Sequence, residues 1–234
     1  MINRNQFKII LLIFMVVDHI GILLPSEIAG WCHIVSRFVA VGFAYLAVEG
    51  FKYTKDLKMY IIRLYLAAGI MQIGNFILNP ILQTRNVFVV NNIFLTLALG
   101  ITALACIKHI RNTILKIISS AIIITIAFLF AEGGVVIVPF MILTYIFREK
   151  RKIQILSYLI LGIALFLMVF SDDSGMSLKD NLIVNNDFLF VTIIPFIFLY
   201  DHKKCDSSKL NKYFFYIFYP LHLWLIAFTK FLLF

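Results

Sequence analysis

Asp18 and His19 stand side by side inside an apolar run, with Phe14, Met15, Val16 and Val17 before them and Ile20, Gly21 and Ile22 after. An ionisable pair in such a run costs several kcal/mol unless it is paired or faces a wet cavity, which makes it a functional-site candidate. A polar pair that only holds helices together is the simpler alternative. Other apolar runs carry polar residues too: Arg37 in the second, Asn91 and Asn92 in the fourth, His222 in the last. Imidazole suits general-base work near neutral pH, and an arginine or amide suits a developing oxyanion. Neighbours on a helix point about 100° apart, so Asp18 and His19 cannot face each other. The economical expectation is an ion pair between Asp18 and Arg37, leaving His19 free as a base.

The chain that must position these groups has 234 residues, 62% of them hydrophobic and 14% charged. A soluble domain is about 45–50% apolar and ~25% charged, so the composition predicts an integral membrane protein. Hydropathy divides the sequence into nine apolar segments: 7–24, 31–50, 57–78, 87–107, 114–131, 135–147, 153–170, 187–200 and 213–234. The sixth and eighth are short and contain Pro139 and Pro195. Arg4 and Lys8 before the first run resemble a signal peptide. The run is too long for one, however, and lacks a small-x-small cleavage site before Trp31, so it reads as a retained span.

Charge placement sets the expected topology. With the N-terminus cytoplasmic, the inner segments hold Arg4, Lys8, Lys52, Lys55, Lys58, Arg63, Lys108, Arg111, Lys116, Arg148, Lys150, Arg151, Lys152, Lys203, Lys204, Lys209 and Lys212. Outside remain Arg85, Lys179 and Lys230, with Arg37 inside a span. Basic loops therefore alternate with non-basic ones, as the positive-inside rule requires. This predicts an all-α, multi-pass protein of the plasma membrane: one polytopic domain over residues 1–234, about nine transmembrane helices, N-terminus cytoplasmic and C-terminus outside. The net charge of +9 then calls for anionic lipid rather than nucleic acid. Cys32, Cys106 and Cys205 show no metal-type spacing and no expected disulfide framework, and no metal site is expected. His33 and His109 at span ends, and His202 in an inner loop, read as interfacial. Residues 171–186 read as a polar surface loop and Gly133-Gly134 as a tight turn. Phosphate-loop, nucleophile-elbow and zinc-protease signatures do not occur.

At a rise of ~1.5 Å per residue across ~30 Å of hydrocarbon, His19 falls roughly 18 Å and His222 roughly 14 Å from the inner edge, and Arg37 about 9 Å from the outer one. Asp18, His19, Arg37, Asn92 and His222 then share a layer, and polar residues from four helices at one depth argue for a cavity. Tyr216, Tyr219 and His222 recur every three residues on one helical face, beside Pro220, which removes a backbone donor. Glu49 lies at an inner span end near Lys52 and Lys55, where a snorkelling carboxylate explains it as well as a catalytic one. Arg63 either snorkels inward or meets an anionic ligand.

Four segments together resemble the TraX family of membrane proteins, known from pilin N-acetylation and related in design to transmembrane acyltransferases. They are residues 8–21 with Asp18-His19-Ile20-Gly21; residues 37–50 ending Ala47-Val48-Glu49-Gly50-Phe51, with Thr54 beyond; Asn92-Ile93-Phe94-Leu95-Thr96-Leu97 with Leu99-Gly100; and residues 216–223 with Tyr219-Pro220-Leu221-His222-Leu223. Where such proteins often carry proline, this chain has Val41, and Ile73-Gly74-Asn75 follows Gln72 without one.

The resemblance implies transfer of an acetyl or similar group from cytosolic acetyl-CoA or another acyl-CoA to an amine or hydroxyl on a peptide, pilin or envelope glycan. On that reading His19 or His222 takes the proton, Arg37 or Asn92 stabilises the oxyanion, and Asp18 holds Arg37. Glu49, Thr96 and Tyr219 give support, and Lys52, Lys55, Lys58 and Arg63 receive the CoA phosphates. A small proton-coupled carrier using the same intramembrane set is one alternative, though no inverted repeat is visible. A non-enzymatic membrane partner protein is the other.

Overall fold

The computed structural model describes residues 1–170, 175, 177–201 and 209–233, and of residues 178, 179 and 209–213 the backbone alone. His202, Lys203, Lys204 and Cys205 lie outside the described residues, as do the side chains of Lys179, Lys209 and Lys212. The helices are α1 (Arg4–Ile20), α2 (Ser26–Ser36), α3 (Phe38–Tyr53), α4 (Leu57–Leu82), α5 (Ile93–His109), α6 (Thr113–Phe130), α7 (Gly134–Ile146), α8 (Arg151–Phe170), α9 (Leu178–Val184), α10 (Ile194–Leu199) and α11 (Lys209–Leu233). Among the described residues the only strand-like pairing is an isolated bridge between Ile2 and Tyr200, so the all-helical expectation holds.

The chain forms two compact units: Met1–Phe43 with Glu149–His222, and Ala44–Arg148 with Leu223–Phe234. In the first unit, Asn3 and Gln6 close a capping box that starts α1. Phe7, Leu11 and Met15, four residues apart, form the buried stripe of α1. Phe7 stacks on Phe196 with ring centroids 6.1 Å apart, and Phe38 stacks on the same ring at 4.4 Å. Hydrogen bonds from Ile2 to Leu199 and from Asp201 to Ile2 tie the N-terminus beside α10. Helix α8 packs on the Asp187–Ile193 turn of 3-10 helix, with Gly162 making room for Val191.

In the second unit α5 packs against α4, α6 and α7. Leu99, Ala127 and Val138 centre the contact, flanked by Leu95, Ile123, Ile124 and Ile142. Gly133, at φ 61, makes the αL turn that the sequence predicts. A Cβ on Gly134 would strike the carbonyl of Ala127, which as helix backbone cannot swing aside. Gly134→Ala is therefore expected to cost about 1–3 kcal/mol by overpacking, read as a lower melting temperature and less monodisperse protein in detergent.

The outward surface is as informative as the core. Ile114, Ile117, Ile118, Ile122, Ile126 and Phe130 of α6 are all exposed, an apolar surface that only lipid covers at this extent. Among the described residues six helices are long and apolar enough to cross a membrane: Arg4–Leu23, Ser26–Tyr53, Leu57–Arg85, Thr113–Phe130, Arg151–Phe170 and Phe214–Leu233. Three shorter apolar helices, Ile93–His109, Gly134–Ile146 and Asp187–Leu199, occupy the other three predicted segments. The expected nine thus become six of spanning length and three short ones.

Each difference from the expected boundaries has a local cause. The fourth segment is helical only from Ile93: residues 87–92 are not helical, and Asn79 holds both the N–H and the C=O of Val89 at 2.9 Å. Asn92 then caps α5 at Leu95. The second segment breaks at Arg37, between α2 and α3. The expected loop 171–186 contains α9, started by Ser177 and anchored by Asn181 to the Val169 carbonyl at 2.9 Å.

Candidate functional site

The polar groups of the first unit gather on two faces of the last turn of α1. On one face, the Asp18 carboxylate accepts from Nδ1–H of His33 at 2.7 Å and from the hydroxyl of Ser36. His33 and Ser36 are three residues apart on α2, so they share the helix face that packs on α1. On the other face, the His19 ring lies 5.2 Å, centroid to centroid, from His222 of α11. The roughly 100° between successive helical residues divides the two clusters, as the sequence predicts.

The Asp18–Arg37 ion pair expected from the sequence does not form. Asp18 is taken by α2, and Arg37, at the break between α2 and α3, bonds instead to Asp187 at 3.2 Å. His33 and Ser36 occupy the carboxylate, and Arg37, at the junction of α2 and α3, reaches Asp187. His33, read as an interfacial residue, is instead the carboxylate's partner. An i, i+3 His-Ser pair just before an intramembrane arginine was the signal available in the sequence.

His222 is 6% exposed and mid-helix. Its Nδ1 lies 3.0 Å from the Phe218 carbonyl, and a carbonyl only accepts, so Nδ1 carries the hydrogen. In the neutral ring this leaves Nε2 as a bare acceptor, and among the described residues that buried atom has no hydrogen-bond partner. Phe218 stacks on the ring at 5.3 Å and Tyr219, also buried, meets it edge-on at 5.5 Å. The Tyr219–His222 face expected from the spacing is thus present. A held imidazole with one open nitrogen can receive a proton from a group placed beside it.

The remaining candidates belong to the second unit. Asn92 is buried and spends its side chain on structure, donating to the Ala68 carbonyl at 3.0 Å and accepting from Leu95 N–H at 3.4 Å. Thr96 donates to the Glu132 carbonyl at 2.7 Å. Asn91, Asn75 and Trp224 extend this network, with Trp224 Nε1 donating to Asn75 at 3.0 Å over the gap left by Gly74. Glu49 is half-buried near the end of α3, Lys52, Lys55 and Lys58 are exposed, and Arg63 is partly buried with Nε lacking a partner among the described residues. One end of this unit is cationic and aromatic: Lys108 lies over Phe51 at 5.3 Å, Phe51 meets Tyr145 edge-on, and Arg148 lies over Tyr145 at 4.9 Å. Side chains at the ends of α3, α5 and α7 therefore meet here. No group of side chains suited to a metal ion occurs among the described residues. Cys32 and Cys106 are free thiols.

A chain whose described elements are helices, several of them apolar on the outside, with an imidazole pair set among them, is a membrane protein with a polar site. It belongs to the TraX family, whose sequence profile, described as TraX protein, matches residues 3–229. The chain is also similar to a probable fimbrial assembly protein, FimC of serogroup H1, from Dichelobacter nodosus. The two are 27% identical over 96% of this chain and 94% of that protein. No solved structure matches.

Proposed function

We propose that this TraX-family protein is a membrane acyltransferase that moves an acetyl or similar group from acyl-CoA to an amine or hydroxyl acceptor. The observation that carries the reading is the open Nε2 of His222, buried beside His19. As the acceptor attacks the thioester carbonyl, His222 Nε2 takes its proton and returns it to the CoA sulfur as the C–S bond breaks. His19 walls the site beside that nitrogen, and Tyr219 fixes the ring edge-on. Arg37 keeps donors beyond its bond to Asp187, including a buried Nε, and is the group assigned to the oxyanion. Asn92 and Thr96 have a supporting role, holding α5 within the second unit. Glu49 stands among the lysines at the cytoplasmic end, and Lys52, Lys55, Lys58 and Arg63 receive the CoA phosphates as charge-assisted contacts. The relative from Dichelobacter nodosus is named for fimbrial assembly, which favours a fimbrial or other envelope peptide as acceptor over a glycan.

The same reading makes the protein multi-pass in the plasma membrane, with the basic turns in the cytoplasm and the C-terminus outside. A cysteine at Thr84 in an otherwise cysteine-free chain should then react with membrane-impermeant maleimide on intact cells, and one at Lys55 only after lysis. The reverse pattern would invert the topology and detach the basic face from cytosolic CoA.

The enzyme and carrier readings separate in sealed proteoliposomes supplied with acetyl-CoA. A transferase releases CoA thiol in proportion to protein. A proton-coupled carrier moves solute or protons across the bilayer with no thiol released, and that result would sink the proposal.

A further inference from the structure

We propose that His33, oriented by Asp18, is a second proton-transfer residue of the site, which activates an acceptor amine arriving as its ammonium ion. The inference rests on the acyltransferase reading. An ammonium nitrogen must lose two protons to become an amide nitrogen, one before it can attack and one during transfer. The balance is R–NH3+ plus acyl–S–CoA giving R–NH–acyl, HS–CoA and a free proton, with the C–N bond formed and the C–S bond broken. His222 accounts for the proton that ends on sulfur. The other proton needs a second base, more open than His222, whose ring is enclosed.

The Asp18–His33 pair has the required properties. The side chain of His33 is 44% exposed and that of Asp18 is 23% exposed. Because Nδ1–H is committed to the carboxylate, the nitrogen His33 presents to a substrate is Nε2. His33 and Ser36 both bind the same carboxylate oxygen, Oδ1. The carboxylate stabilises the imidazolium that forms when Nε2 of His33, on the ring edge away from Asp18, takes the first proton of the ammonium. Ser36, buried at 3% exposure, fixes the carboxylate. The pair and the His19–His222 pair hang from one turn of α1, which brings the activation and transfer steps to neighbouring positions.

The test uses the full chain in nanodiscs, with acetyl-CoA and a tripeptide bearing a free N-terminal amine. His33→Ala should lower peptide acetylation by ten-fold or more, and imidazole added to the solution should restore it several-fold, because the vacated position is open at the protein surface. His222→Ala should fall further and gain nothing from imidazole. Wild-type acetylation rates in His33→Ala would overturn the proposal, and so would a loss that imidazole does not relieve in protein of unchanged melting temperature. Failure of the wild type to acetylate the peptide while still releasing CoA also overturns it. Absence of CoA release from the wild type would instead remove the acyltransferase reading on which it rests.

Discussion

His222→Ala, purified, monodisperse and reconstituted, should lose acyl-CoA-dependent transfer by roughly 10²–10⁴-fold, the range a positioned general base contributes. The substitution deletes the one buried acceptor nitrogen that the described structure leaves open. It also deletes an aromatic ring stacked on Phe218, so some stability is lost with it. His222→Phe separates the two effects: it keeps a ring between Phe218 and Tyr219 but has no nitrogen. If His222→Phe melts near the wild type and is as inactive as His222→Ala, the proton role stands. Full activity in either variant would contradict it.

Asn92→Ala should be mainly a folding defect. The amide caps α5 and bonds to the Ala68 carbonyl of α4, so truncation removes a helix cap and an interhelical bond together. Caps are worth typically ~1 kcal/mol, and polar bonds between membrane helices about 0.6–2 kcal/mol. A combined loss of about 1–3 kcal/mol corresponds to a melting temperature lower by roughly 3–10 °C for a chain of this size. Activity per folded molecule should stay near the wild-type level. An unchanged melting temperature with activity lost would restore Asn92 as an oxyanion donor.

These two residues show where the sequence was legible. His222 is an unexplained polar group in an apolar helix, and the i, i+3 relation to Tyr219 is enough to place its neighbours. Asp18 and His19 were separable by helical geometry alone, and the structure sends them to different partners. Partner choice was less legible, because local packing decides it and spacing does not. His33, Ser36 and Arg37 lie within about one helical turn, and of the three it is His33 and Ser36 that bind Asp18. The fourth apolar segment misled for the same reason. Val87, Phe88, Val89 and Val90 have the hydropathy of a span, yet they are not helical, and Asn79 bonds the Val89 backbone in a way that hydropathy does not register. Asn92 therefore looked like a midplane polar group and is a helix cap.

The most direct measurement follows the acetyl group itself. Purified protein in nanodiscs would receive acetyl-CoA labelled in the acetyl carbon, together with solubilised envelope protein from its own host as acceptor. The acyltransferase account predicts label moving to an envelope protein with one CoA thiol released per acetyl, and no movement with His222→Ala. Label that stays on CoA in the presence of folded wild-type protein and that acceptor would contradict it.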